Sequence, residues 1–328
     1  MTITTKLRGF ALAAGLAIGA AAAGPALAEP NWDQVPGQDI NLFYPGQASW
    51  EWALTQTKHS GAQVFRDKEA PKDCHECHDV IGKSDAPAFG KQIVGGEALA
   101  SGQILEPNPI PGKLGAIVAN VKMAHDADRF YVRLEFPDTP AVGAKMDPDY
   151  AVKATMMLND GKVPEANRAG CWGACHEDLP FMANAVPGKD LTKYLTKTRV
   201  TMTAKGGGDI KPDADIEKMR ADGYYLEYWQ ARLNAGKPAG AVDGFVLDKR
   251  VPNASPAVAA TGKLEGGKWV VVLSRKLSAG APYKDLLPGK TYTVGFAIHG
   301  GYAAKRFHWV SFEHTVALNG GDAQFVVK

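Results

Sequence analysis

Cysteine is scarce, with 4 in 328 residues, and the four fall in two close pairs rather than being dispersed. That spacing excludes the disulfide framework that staples small secreted domains. Charge of one sign is also lacking. The formal net charge is +2, and with Lys6 and Arg8 set aside the rest of the chain carries 35 basic against 35 acidic side chains. A nucleic-acid binder would show a basic excess, so that class is set aside. No apolar run after residue 28 approaches the ~20 residues of a spanning helix. Hydrophobic residues at 45% and charged ones at 22% exclude a disordered chain.

The N-terminus has the three parts of a secretory signal. Lys6 and Arg8 form a positive region, Phe10 to Gly24 an apolar one, and Ala26-Leu27-Ala28 a small-residue cleavage site. A retained anchor is the alternative, but the apolar part is short for one. The expectation is export to the periplasm with cleavage after Ala28. The remaining chain would not span a membrane and has room for roughly two domains of ~150 residues.

The first cysteine pair is Cys74-His75-Glu76-Cys77-His78. Two thiols three positions apart can form thioethers with the two vinyl groups of one haem, and the histidine that follows then lies under the iron as proximal ligand. A redox dithiol would want a βαβ context, and a zinc site a second pair nearby; neither is present. The second pair, Cys171-Trp172-Gly173-Ala174-Cys175-His176, has one residue more between the thiols. Gly173 would ease a bulge there, so a second covalent haem with His176 as proximal ligand is expected. A local Cys171–Cys175 disulfide is the alternative, though it leaves His176 unexplained.

A low-spin electron carrier needs a sixth ligand on each iron. His59 is the candidate for the first haem, against a solvated loop histidine. For the second the choice is His308, with Met156, Met157, Met182, His299 and Lys305 as alternatives. Met156 and Met157 are neighbours in an expected strand and point to opposite faces. His125 is read as a turn residue, His314 as an exposed strand residue, and His75 as facing away from the iron. No acid/base dyad is evident, and Glu177-Asp178 reads as surface.

Residues 29–110 read as a small N-terminal haem module of helix and loop, with Ser49 capping a short helix from Trp50. The Pro-rich stretch Glu106 to Gly112 closes it. Residues 111–328 then show period-two alternation, as in Phe130, Val132, Leu134 and Phe136. One hairpin is expected from 116 to 136. A second, over 258–273, turns at Gly266-Gly267. Further strands are expected over 292–298 and 307–318. Together these suggest a mainly β protein, an antiparallel sandwich. An insertion over about 160–250 would carry the second cysteine pair and a helix from Tyr224 to Leu233.

Ala154 to Gly161, Gly170-Cys171-Trp172 through Cys175-His176-Glu177-Asp178, and Arg306 to Ser311 together resemble the haem-binding domain of the ethylbenzene dehydrogenase gamma-subunit type. The resemblance covers roughly 110 to 328. It implies an antiparallel β-sandwich serving electron transfer with molybdenum enzymes of the DMSO reductase class. That family's haem is a non-covalent b-type held by methionine and lysine, whereas this chain has cysteines at the site. Fold-level kinship alone does not fix function.

The expected function is a periplasmic dihaem c-type cytochrome passing single electrons. Its partners would be a molybdenum-containing respiratory reductase or dehydrogenase, or a membrane quinol-oxidising cytochrome. The runner-up is a dihaem enzyme, a peroxidase or small-oxyanion reductase, with one open haem.

Overall fold

Alternation of inward apolar and outward polar side chains builds an antiparallel sheet. The computed structural model describes residues 29–61, 72–79, 83–142, 146–174, 193–203, 206–207 and 209–328. The expected signal at 1–28 lies outside them, as do Cys175, His176 and Met182.

The chain opens with β1 (Gly37–Phe43), α1 (Trp50–Gln56), α2 (Cys74–His78) and α3 (Ala86–Val94). The hairpin β2 (Ala116–His125) and β3 (Arg129–Pro137) follows, then β4 (Val152–Asn159) and α4 (Pro164–Ala169). A two-residue pair, β5 (Met202–Thr203) and β6 (Gly206–Gly207), precedes α5 (Asp213–Ala221). Next come β7 (Leu226–Leu233), β8 (Gly240–Val246) and β9 (Arg250–Pro252), and then the hairpin β10 (Ala259–Glu265) and β11 (Lys268–Lys276). The chain ends in β12 (Thr291–His299), β13 (Trp309–Val310), β14 (His314–Leu318) and β15 (Phe325–Val327).

Among the described residues, 13 strands form one sheet, with a path in the order β10-β11-β3-β2-β1-β13-β12-β4-β7-β8-β9 and, off that path, β14 paired with β12 and β15 paired with β14. The path folds back on itself. β10 and β11 lie against β7, and Phe130 of β3 meets Trp229 of β7 edge-on at 6.1 Å. The two halves enclose one core, giving the mainly β, sandwich-like fold expected from the sequence. A buried ion pair also joins them, Arg275 Nε on β11 to Glu227 on β7 at 2.8 Å. Its geometry satisfies charges that would be costly to bury alone.

Both expected hairpins are present, with Gly266 and Gly267 at positive φ between β10 and β11. Three local expectations need correction. The expected helix from Tyr224 to Leu233 is instead strand β7 over Leu226–Leu233; nearly every side chain in it is buried, so alternation is erased, as in strands covered on both faces. The expected strand over 307–318 is broken into β13 and β14. Ser311 interrupts it, its hydroxyl accepting from Phe296 N at 2.9 Å and donating to Phe312 O at 2.7 Å. His314 is buried rather than exposed, with Nδ1 2.8 Å from Gln324 Oε1.

β1 comes from the segment read as a haem module, and it sits mid-sheet between β2 and β13. The Pro-rich stretch is tied down as well. Glu106 accepts the Tyr44 hydroxyl at 2.6 Å and pairs with Arg306 near the far end of the chain. β7, β8 and β9 come from the stretch read as an insertion, and they are strands of the same sheet.

Candidate functional site

α2 is one turn of helix made from the first cysteine motif. Asp73 caps it, accepting the Glu76 N–H at 2.8 Å, which satisfies a donor left over at the helix start. Helical geometry then puts Cys74 and Cys77, three positions apart, on neighbouring positions of one face. Both are free cysteines, and both line a cavity of about 380 Å³ with His78. Burial, followed by the nearby Glu313 carboxylate, pushes the Cys74 thiol well above its usual range.

His78 closes the helix and is fixed on several sides. Its Nδ1 lies 3.0 and 3.1 Å from the two oxygens of Asp85, the residue before α3. A carboxylate at Nδ1 orients the ring and leaves Nε2 as the coordinating nitrogen, the usual arrangement behind a metal-bound histidine. The ring packs on Phe312 at 5.9 Å and Phe89 at 6.0 Å. Those two meet Phe43 of β1 at 4.8 and 4.7 Å, so three elements far apart in sequence form one aromatic wall.

Opposite stands His59, in the single 3-10 turn Lys58–Gly61 after α1. Ser49 caps α1 through Trp52 N at 3.1 Å, as the sequence suggested. Thr57 at its end bonds back to Ala53 O at 2.7 Å and accepts the His59 N–H at 3.2 Å. The same hydroxyl lies 3.3 Å from His59 Nδ1, which sets the ring's direction. Burial, and secondarily the facing His78, lowers the His59 pKa and favours the neutral imidazole a metal requires.

The two rings face each other with centroids 6.0 Å apart and planes at 66°. Two metal–nitrogen bonds of about 2 Å each, plus the half-width of each ring, span about 6 Å. The remaining lining includes Trp52, Ala53, Ile93 and Leu105, an apolar surround suited to a flat hydrophobic macrocycle. The residues present therefore fit a haem, which Cys74 and Cys77 could attach and whose iron His78 and His59 could hold.

The helix that leads into Cys171 lies close by. α4 packs against α2, and Arg168 of α4 donates to Lys72 O through Nε at 3.0 Å and Nη2 at 2.9 Å. Cys171 follows in a 3-10 turn beginning at Gly170. Gly170 has φ +57°, and a Cβ there would meet Phe312 O and Glu313 N at 2.9 Å. Only glycine allows this approach.

His308 does not line the first cavity. It is buried, its ring stacked on His299 at 4.8 Å with planes 16° apart, and burial holds its pKa well below the usual value. His299 Nε2 bonds Lys305 O at 2.7 Å. Met156 faces the main core and Met157 the opposite face. His75 turns from the cavity toward Asp79, 3.6 Å away, and lies 5.5 Å from the His314 ring. Phe43, Phe89, Phe312 and Asp85 escaped the sequence reading. None carries a spacing signal, since their meeting depends on sheet pairing and on the packing of α3 against β1. Glu313 was missed too. It accepts His75 N–H at 2.7 Å, and burial, followed by the charge of Asp73, raises its pKa to about 9.

No family model matches the chain. Among solved structures, a carbohydrate binding module family 9 from Caldicellulosiruptor kristjanssonii in complex with glucose aligns at TM-score 0.28 and 12% identity. It covers 60% of this chain and 66% of that one, too weak a likeness to carry an argument. Whole-length relatives are more informative. The chain is 27% identical over 296 residues to cytochrome c-551 of Rhodocyclus tenuis, covering 90% of this chain and 97% of that protein. It is 36% identical over 306 residues to cytochrome c-552 of Stutzerimonas stutzeri, covering 92% and 90%. Likeness of that extent reaches well beyond the five residues of the haem motif, and the chain belongs to the c-type cytochrome family that includes the Stutzerimonas stutzeri protein.

Proposed function

We propose that this c-type cytochrome carries two haems and passes single electrons between protein partners in the periplasm. The observation that carries the reading is the facing pair His59 and His78, 6.0 Å apart across an apolar cavity walled by Cys74 and Cys77. A haem bound there supplies one-electron chemistry, its iron cycling between ferric and ferrous. Cys74 and Cys77 would anchor it covalently, and His78 and His59 would hold its iron, an arrangement that would favour electron transfer over small-molecule chemistry there. Asp85 holds His78 in one orientation, and Phe43, Phe89 and Phe312 exclude water from that side.

A second haem would be held by Cys171 and Cys175, with His176 and His308 as the residues offered to its iron. Supporting this are the histidine after each cysteine pair and the burial of His308. The contact of α4 with α2 would bring the two haems close enough for an internal relay. The periplasmic setting rests on the signal-like residues 1–28 with cleavage after Ala28. In addition, no helix among the described residues is long and apolar enough to cross a membrane. The gamma-subunit resemblance supports a respiratory molybdenum enzyme or a quinol-oxidising cytochrome as partner. A near-neutral charge leaves docking to local patches.

A haemochrome assay with intact mass should report two covalent haems per chain, and the reduced protein should not bind carbon monoxide. One covalent and one extractable haem would make the second site b-type and free Cys171 and Cys175 for a disulfide. One haem in total would remove the second site. Rapid carbon monoxide binding would replace the carrier with an enzyme that has an open iron.

A further inference from the structure

A second pocket, of about 260 Å³, lies by β4, β7 and β9 and is lined mainly by charged and polar side chains, unlike the first. Five cationic side chains line it: Lys153, Lys193, Arg232, Arg250 and Lys305. The lining carboxylates are Asp147 and Asp149. Asp147 is already engaged, since it pairs with Lys153 and its Oδ1 accepts the N–H groups of Asp149 at 2.9 Å and Tyr150 at 3.0 Å. The guanidiniums are held by neutral groups. Arg232 Nε donates to Gln230 Oε1 at 3.1 Å and its fork lies 5.4 Å from the Tyr150 ring; that of Arg250 lies 5.7 Å from the Tyr228 ring. Such contacts fix position without neutralising charge. Two oriented guanidiniums amid lysines match the planar, two-oxygen shape of a carboxylate or similar oxyanion.

One lining residue connects this pocket to the haem chemistry. His299 lines it and stacks at 4.8 Å on His308, the proposed ligand of the second haem. Lys193, also on the wall, follows the segment that carries Cys175 and His176. We propose that the pocket is an oxyanion site whose occupants are the propionate carboxylates of the second haem. This rests on the dihaem reading. A free small oxyanion shares the chemistry, and the test separates the two sources.

The full-length holoprotein and its Arg232→Gln/Arg250→Gln variant are compared by intact mass, by potentiometric titration of each haem, and by calorimetric titration with inorganic phosphate. Nearby cations stabilise the ferrous state, which carries one more electron. The variant should therefore keep both haems while one midpoint falls by ~59 mV, equivalent to a tenfold change in the one-electron equilibrium. The other midpoint should stay fixed, and phosphate should not bind the wild type saturably. Saturable phosphate binding to wild type, weakened at least tenfold in the variant, would keep the oxyanion site but replace the propionates with a free ligand. Unmoved midpoints without phosphate binding would overturn the proposal. A single haem in the wild type would sink the dihaem reading instead, leaving the phosphate titration to decide the pocket. Arg250→Gln alone, on the short strand β9, gives the same readings if the double variant folds poorly.

Discussion

Two of the histidine pairs among the described residues differ in what they can do. His59 and His78 face each other across an apolar gap, each with Nδ1 engaged by a neighbour. His299 and His308 lie ring on ring at 4.8 Å, nearly parallel. The first spacing admits a metal between two nitrogens. The second leaves no room for one, so these two rings cannot take opposite sides of the same iron. Only His308 is offered as a ligand, with His299 as its backing. Histidine count was therefore a poor guide to coordination; separation and orientation decide it.

The contrast can be broken most completely at the attachment point. Replacing Cys74 and Cys77 by serine should remove one haem per chain from the denatured protein, read by intact mass. Undiminished covalent haem would falsify the assignment. Next in size is His59→Ala, which opens one axial position and should turn one haem high-spin in the ferric spectrum. A wholly low-spin variant would return His59 to an ordinary loop residue.

A third change tests the buried surroundings of α2. Burial lowers the His314 pKa to about 4, below its usual ~6.5. The folded state therefore binds fewer protons than the unfolded one between those values, and stability present above the upper value is lost as pH falls toward the lower. The difference corresponds to about 3 kcal/mol. His314→Gln should flatten the fall in urea midpoint between pH 7 and 4.5. Glu313, raised to about 9, acts in the opposite direction, destabilising as pH rises from the ordinary carboxylate range, and it is present in both proteins. An unchanged pH slope would mean that His314 is protonated at little cost in the fold.

The smallest effect belongs to the stacked pair. His299→Ala should cost about 1 kcal/mol of stability, the scale of one aromatic contact, and leave the first haem's spectrum untouched. A spin change as large as that of His59→Ala would erase the distinction between the pairs.

Legibility in the sequence followed the same physics. The hairpin β2–β3 was readable from the two-residue rhythm of β3, and β10–β11 from the Gly266-Gly267 turn between its strands. β7 was not, because burial on both faces removes the rhythm, leaving a helix and a strand indistinguishable on pattern. Cys74, Cys77 and His78 were readable because their chemistry is local to five residues. His59 was reachable only by proximity in the chain. Phe43, Phe89 and Phe312 come from β1, α3 and the β13–β14 link. Sheet pairing and the packing of α3 on β1 bring them together, and no spacing rule announces that.

Gly170 has a consequence for traffic between the two cysteine segments. Electron tunnelling falls off exponentially with the gap between donor and acceptor, so closest approach governs the rate. Here the backbone of Gly170, one residue before Cys171, passes so near Phe312 that an added Cβ would lie 2.9 Å from its carbonyl oxygen, and the Phe312 ring forms part of the first cavity's wall. The absent side chain makes this a junction of minimum width. Even one methyl group at this position would push the two segments apart, and in the dihaem reading it would slow passage between the haems without touching either iron.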